Sequence, residues 1–451
     1  MSRRVILLDF PWARDKDPRL PLGHACLLSA LKAAPNIEPR SLVMAANDPT
    51  INIDDLSTHI LAQCDDERGE IDLAVGVYVW SEGLVGALLP SLRARGFRGR
   101  IILGGPQISY AAEGVERLYP DADVFVRGFA EAALVEVLSS TARKRIQGVV
   151  YRGGFDRGRQ ANINFDETPS PWLDGTFHIE PGSFVRWETQ RGCPFRCSFC
   201  QHREAGQSVP RQRSESGRIG REIELFVERG VREIAVLDPV FNSGGPTGAR
   251  RSTRLLRRFS DVGYRGRLSL QCRPEHVDDD FIDACAALDT CLEFGLQTTE
   301  RREWKPIQRG NKLETVDATL SACRDKGVDH QVSLIFGLPE QTVESFERSL
   351  AWCLEREVPV IKAFPLMLLR GTELERTRSR WSLRETTTPM PIVCGSSTFD
   401  ERDWLRMAQL SQALRMTERN HPRSIEGLRA LARDLECDES RWNPTQDRHP
   451  A

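Results

Sequence analysis

The chain has 451 residues, 40% of them apolar and 28% charged, which calls for two or three packed domains and excludes wholesale disorder. Its 62 basic and 64 acidic residues leave a net charge of -2, so nucleic-acid binding through a bulk positive field is not expected. Apolar runs such as Leu73 to Trp80 are far too short to span a bilayer, and Asp9 interrupts the N-terminus before a signal-peptide core forms, so a cytoplasmic protein without membrane partners is expected.

The first 140 residues alternate β-branched runs with helical patterns. Strands are expected at Arg4–Asp9, Arg40–Ala45, Asp72–Val79, Arg100–Leu103 and Asp123–Val126, and helices at Leu22–Ala33, Ser57–Cys64, Leu84–Arg95 and from Ala130. Five strands in this rhythm predict a doubly wound, Rossmann-like α/β domain over residues 1–145. Residues 146–182 hold a hairpin-like piece (Gly148 to Gly154) and Thr168-Pro-Ser-Pro-Trp172, which reads as linker. A second series then begins, with strands at Phe184–Thr189, Glu233–Leu237, Arg267–Gln271, Leu292–Leu296, Gln331–Phe336 and Val360–Phe364 and helical patterns between them. Six such units over 183–375 predict a partial TIM-type (β/α)6 barrel, whose chemistry gathers at strand C-terminal ends. Residues 376–451 read as a helical region with a polar tail.

Of the twelve cysteines, nine are scattered (Cys26, Cys64, Cys272, Cys285, Cys291, Cys323, Cys353, Cys394, Cys437), mostly in apolar patterns, and read as small buried hydrophobes. The other three, Cys193, Cys197 and Cys200, share one loop directly after the first barrel strand. Three thiolates at this spacing suit three irons of a cubane cluster and leave a fourth iron open to a ligand. The competing reading is zinc, with His202 completing a Cys3His set in a non-catalytic scaffold; four ligands within ten residues would crowd the backbone.

The Cys-x3-Cys-x2-Cys loop after a barrel strand resembles the radical SAM superfamily, in which the open iron chelates S-adenosylmethionine (SAM) and reduction yields a 5'-deoxyadenosyl radical. The resemblance implies a [4Fe–4S] cluster on Cys193, Cys197 and Cys200, SAM as cofactor, and a flavodoxin- or ferredoxin-type electron donor. Phe199 matches the aromatic that meets the adenine. Gly295-Leu-Gln297, with Arg309 twelve residues later, is similar to the coproporphyrinogen-oxidase-like branch. Ser333 stands where that branch has Asp before Gly337-Leu-Pro339. Asp238 stands where many members carry a Gly-Gly-Glu motif that holds the methionine amine.

The N-terminal domain resembles that of the branch with a B12-binding domain, on Pro21-Leu-Gly23, Gly104-Gly105-Pro106 and Arg127-Gly128-x-x-Glu131. Bulky Tyr78 and Trp80, and Phe129 and Ala130 in a loop that is often glycine-rich, add volume where a corrin would lie, so cobalamin stands as a candidate cofactor only. The preferred reaction is radical dehydration of a vicinal diol on a small polar natural product, as in the lyases of aminoglycoside antibiotic biosynthesis. The alternative is a cobalamin-dependent radical methyltransferase. Candidate acid and base groups at strand ends are Glu188, Arg273, Glu275, Glu293 and Lys362, each with a structural ion pair as the rival reading.

Overall fold

A computed structural model describes residues 2–64, 71–140, 142–202, 212–213, 217–386, 390–433 and 435. Cys437 and the polar tail beyond it lie outside the described residues. The chain divides into two compact units, the first centred on residues 1–178 and the second on 179–211 and 223–441.

In the first unit, strands β1 (Arg3–Asp9), β2 (Ile37–Val43), β3 (Ile71–Gly76), β4 (Ile101–Gly104), β5 (Val124–Val126) and β6 (Val149–Tyr151) form one sheet of order β2-β1-β3-β4-β5-β6. The first five run parallel, and β6 closes the edge antiparallel to β5. Helices α1 (Leu22–Lys32), α2 (Ile53–Ala62), α3 (Glu82–Ala94), α4 (Pro106–Ser109) and α5 (Glu131–Ser139) connect them. Two apolar clusters cover the sheet, one around Leu8, Leu73, Leu103 and Phe125 and one around Val5, Leu7, Leu31 and Leu134. Both faces are therefore dry, as parallel sheets require.

The stretch expected as a linker belongs in large part to this unit. Its β-branched Val149–Tyr151 finds the open edge of β5, and Ile163, Phe165, Trp172 and Phe177 are buried. Apolar side chains spaced among turn residues pack as irregular structure here, without the periodicity that sequence patterns detect.

The second unit is built on β7 (Phe184–Trp187), followed by the two-residue strand β8 (Gln190–Arg191), whereas β9 (Gln212–Arg213) and the first turn of the helix after it count with the first unit. The main strands continue with β10 (Glu233–Val236), β11 (Arg267–Cys272), β12 (Asp289–Gln297), β13 (Asp329–Phe336) and β14 (Val360–Pro365). The sheet is all parallel, in the order β14-β13-β12-β11-β10-β7. That is sequential (β/α)6 order with two free edges, a partial barrel. Its helices are α6 (Arg218–Glu228), α7 (Gly245–Asp261), α8 (Asp279–Ala286), α9 (Arg301–Ile307), α10 (Leu313–Asp325) and α11 (Val343–Glu355). The helices start on side-chain caps where the sequence supplies them: Asp278 accepts from Phe281 N, and Thr342 and Ser345 form a capping box.

Burial alternates along these strands. Leu292, Phe294 and Leu296 on β12 and Val332, Leu334 and Phe336 on β13 are buried, whereas Glu293, Gly295, Gln297, Ser333 and Ile335 are half-buried. The alternate set forms the other, concave face, which carries the exposed apolar side chains Leu237 and Phe364 as well. After α12 (Glu373–Arg376), the C-terminal region contributes α13 (Glu401–Met416), packed on β14, and α14 (Ile425–Arg433). Among the described residues no helix is long and apolar enough to cross a membrane.

Candidate functional site

The cysteine loop leaves the end of β7 and is tied down at both ends. Backbone N–H groups of Thr189 and Gln190 donate to Asp238 Oδ1 at 2.7 and 3.1 Å, and Thr189 Oγ1 donates to Oδ2 at 2.6 Å. Gln190 Nε2 donates to the Val240 carbonyl at 2.7 Å. Gly192, at φ 78°, makes the turn into Cys193. Ser198 donates through its backbone to Ile307 O at 3.0 Å and through its hydroxyl to Pro306 O at 2.7 Å, while its own carbonyl accepts from Leu374 N at 2.9 Å. Cys193, Cys197 and Cys200 are all free thiols. Burial pushes the Cys200 thiol up to about 12 and the Cys193 thiol upward, so a metal must displace protons to take these sulfurs.

Among the described residues, no three His, Cys, Asp or Glu side chains are drawn together to hold a metal ion as they stand. Thiolates of a cubane attach to separate irons and need no convergence on one point, so a free trio on one pinned loop fits the cluster.

Next to the loop stands the end of β12. The sheet register shifts between Gly295 and Gln297, and Gln297 takes φ 70°, strained for a residue with a side chain. A Cβ on Gly295 would sit 2.7 Å from Gln297 Nε2 and 3.4 Å from Arg309 Nη2. Arg309 Nη2 donates to the Gly295 carbonyl, and Nη1 lies 3.7 Å from Cys197 Sγ. The fold thus brings Gly295, Gln297, Arg309 and Cys197 together. Ser333 lies in register between Gly295 and Lys362. Phe199 is half-buried within the loop.

Asp238 is placed differently from the sequence expectation. It is fully buried, and its two oxygens are taken up by Thr189 and Gln190. Burial raises its pKa to about 6 against the pull of those hydrogen bonds. It clamps the cysteine loop and does not present itself to a methionine amine. Glu188 is also corrected: Arg191 Nε donates to both of its oxygens at 2.9 Å, the structural ion pair that was its rival reading.

Glu293 and Lys362 stand on the concave face, Glu293 in register between Gln271 and Gln331. Arg273 is buried, lies over the Phe195 ring at 4.0 Å, and keeps Nε and Nη1 without a partner; Glu275 Oε2 is likewise unpartnered. Sequence reasoning missed Glu303, a fully buried acid that accepts from Thr298 Oγ1 at 2.5 Å, Ser345 Oγ at 2.5 Å and Gln341 Nε2 at 3.3 Å. Gln341 Oε1 in turn accepts from Gly337 N at 2.7 Å, which fixes the Gly337-Leu-Pro339 turn. The only signal was an isolated acid in a short helix that also contains Pro306.

In the first unit the chain reverses direction around β1, and the strand ends there make the crevice where ligands of doubly wound sheets bind. Trp80 Nε1 donates to Phe10 O at 2.9 Å, and the Tyr78 and Trp80 rings stack with centroids 4.9 Å apart and planes 6° from parallel. A Cβ on Gly76 would lie 3.2 Å from the Tyr78 ring, and one on Gly23 3.7 Å from its hydroxyl. The Tyr78 bulk is therefore tucked into space that two glycines leave, and the Trp80 ring stacked on it is tied to the end of β1. Asp9 Oδ1 is buried there without a partner, and burial raises the Asp9 pKa to about 7. These residues fit a flat macrocycle with amide donors. Other motif residues are consumed internally: Arg127 binds Ile108 O, Ala111 O and Asp156, and Gly105 (φ 88°) brings its backbone against Val77.

Residues 187–353 match the radical SAM superfamily. The cobalamin-dependent radical SAM methyltransferase TokK of Streptomyces tokunonensis is 25% identical over 377 residues, 76% of this chain and 54% of TokK. The chain spans about half the length of the curated relatives it matches. Among solved structures, the radical SAM methyltransferase TsrM of Kitasatospora setae, with cobalamin and a [4Fe–4S] cluster bound, superposes with a TM-score of 0.67 at 19% identity, covering 90% of this chain and 82% of TsrM. The cobalamin-dependent radical enzyme OxsB, with aqua-cobalamin and SAM bound, gives 0.68 at 14% identity, covering 92% and 67%. At these identities the structures speak for the fold alone. Residues 187–353 thus form a radical SAM domain, with the three-cysteine loop and the strand-end cluster at Gln297 and Arg309 inside it, and the chain joins this domain to a doubly wound N-terminal unit in the fold shared with TsrM and OxsB.

Proposed function

We propose that this enzyme is a cobalamin-dependent radical SAM methyltransferase acting on a small polar natural product. The observation that carries the reading is the pairing, in one chain, of the switch-point crevice at Asp9, Tyr78 and Trp80 with the open cysteine loop. TokK, which aligns over three quarters of the chain, is named for the same activity. Dehydration of a vicinal diol, the reaction preferred from sequence, finds no counterpart in the relatives named above, and one of its acid–base candidates, Glu188, is held by Arg191.

When bound, cobalamin would supply a methyl carrier, and the cluster with SAM an electron and a radical source. Cys193, Cys197 and Cys200 would hold the cluster, and Arg309, beside Cys197, would place a positive charge against its sulfur side. Gln297, at the register shift of β12, and Ser333 would orient the nucleoside. Glu293 and Lys362 on the concave face would bind polar groups of the substrate. The stacked Tyr78 and Trp80 would bear on the corrin and keep water from it, and Asp9 would meet one of its amides. A flavodoxin- or ferredoxin-type protein would deliver the electron.

The test is anaerobic reconstitution with iron, sulfide and hydroxocobalamin. Stoichiometric retained corrin, with S-adenosylhomocysteine formed from SAM, is expected. Formation of 5'-deoxyadenosine with no corrin retained would overturn the methyltransferase reading in favour of dehydration.

A further inference from the structure

The turn after β11 presses unspent charge against the cysteine loop. Strand β11 ends at Cys272, and Arg273-Pro274-Glu275 leave it at the start of a 3-10 segment. Arg273 is 7% exposed, and its Nε and Nη1 have no hydrogen-bond partner. Asn242 fixes the turn, its Oδ1 accepting from Arg273 N at 2.9 Å and its Nδ2 donating to Arg273 O at 3.0 Å. The Arg273 guanidinium lies on the Phe195 ring, 4.0 Å from its centroid, and His276 stacks on the same ring with centroids 5.9 Å apart. Phe195 stands between Cys193 and Cys197, so the turn is packed on the loop that carries the thiols.

The charges around this guanidinium do not balance. Burial first, then the nearby Arg309, pull the Arg273 pKa down, while Glu275 and the thiols of Cys197 and Cys193 act the other way. Arg309 Nη1 lies 3.7 Å from Cys197 Sγ, and its Nε is buried without a partner. Two guanidiniums thus draw near the same thiols and near each other, while Glu275 keeps its buried Oε2 unpartnered. Like charges gathered under cover are costly unless a negative group draws them in. A cubane on three thiolates is such a group: the thiolates outweigh the charge of its oxidised core, and reduction adds a further electron. A fixed cation beside it favours the reduced form, as a cation beside a carboxyl favours the ionised one.

We propose that Arg273 tunes the cluster, its buried charge keeping the reduced state within reach of the donor protein, with Glu275 offsetting part of that pull. The proposal rests on the cluster reading and concerns the entry of the electron, before SAM or substrate is bound. The step is a one-electron transfer: the donor is oxidised by one electron, the oxidised cubane takes it up, and no bond to the protein forms or breaks. Arg273 acts on it through space.

A reductive titration of the anaerobically reconstituted full chain with titanium(III) citrate, in the absence of SAM, tests this. The reduced cluster is read by electron paramagnetic resonance, and iron and sulfide are measured on each sample. An opposite charge within about 4–6 Å moves such an equilibrium roughly 10- to 1000-fold, and the low end is taken because Glu275 offsets part of the charge. Arg273→Met should therefore make reduction about tenfold harder, a midpoint about 59 mV more negative. Glu275→Gln should move the midpoint the opposite way, and Arg273→Lys, which keeps the charge, should return most of the loss. Should Arg273→Met fail to hold its iron, the positive shift of Glu275→Gln carries the test. Unchanged midpoints in Arg273→Met and Glu275→Gln at full iron content overturn the proposal, as do shifts of one sign in both, which water entering a loosened turn would produce. Native protein that takes up neither iron nor sulfide would instead refute the cluster reading beneath it.

Discussion

The chain contains two six-stranded sheets built from parallel β/α units, and they differ in what gathers at their strand ends. At the strand ends of the N-terminal sheet, burial raises the Asp9 pKa to about 7 and lowers that of His24 to about 4, so both groups drift toward their neutral forms. His24 is further satisfied by Ser41 Oγ at 2.8 Å. At the rim of the barrel sheet, Arg273, Glu275 and Arg309 keep unpartnered polar atoms beside three free thiols. The difference locates ionic ligand chemistry on the barrel and a flatter, less charged contact on the N-terminal unit, though the two share one architecture.

The largest effect that would break this contrast is at the thiols. Cys197→Ala should abolish iron–sulfide incorporation, its visible absorbance and all SAM cleavage; cleavage that survives would show the charge at the rim serves something else. Next comes Gly295→Ala, whose Cβ would press on Gln297 Nε2 at 2.7 Å. It should weaken SAM binding about tenfold, as loss of one good hydrogen bond does, with iron content kept, as read by equilibrium dialysis of SAM against the reconstituted protein.

A smaller effect sharpens the N-terminal side. Asp9 has a folded pKa of about 7 against an ordinary 3.8, so its contribution is complete below about pH 4 and is lost as pH rises through 7. His24, at about 4 against 6.5, loses its contribution as pH falls from 6.5 through 4. Asp9→Asn should therefore flatten the alkaline side of the melting-temperature profile, with a gain of about 2–4 kcal/mol near pH 8, and leave the acid side unchanged. Because the two slopes oppose each other below pH 6.5, a native profile that does not fall between pH 6.5 and 8 would contradict a neutral Asp9. Smallest at the cluster, Glu293→Gln and Lys362→Met should leave iron content and SAM affinity within about twofold while substrate turnover falls at least tenfold.

Much of this is legible in the sequence. All six barrel strands sit within a few residues of their expected positions, because buried parallel strands are short apolar runs that helices separate. The three cysteines stand out by spacing, and Gly295, Gln297 and Arg309 by a resemblance that the fold turns into contact with Cys197. What escapes is pairing. Sequence cannot tell that Asp238 turns back onto Thr189, that Glu188 takes Arg191 while Arg273 and Glu275 take nothing, or that Glu303 bridges Thr298 and Ser345. Each depends on side-chain direction in a turn, which no periodicity encodes. The edge strand Val149–Tyr151 escapes for a related reason: three residues carry no period, and only the free edge of β5 makes them a strand.

The central claim is an iron–sulfur cubane on Cys193, Cys197 and Cys200 whose fourth corner accepts SAM. Electron paramagnetic resonance of the reduced, reconstituted protein, recorded with and without SAM, tests it most directly. The account predicts a cluster signal that shifts when SAM is added and is absent in Cys197→Ala. A signal indifferent to SAM, or protein that carries zinc and no acid-labile sulfide, would contradict it.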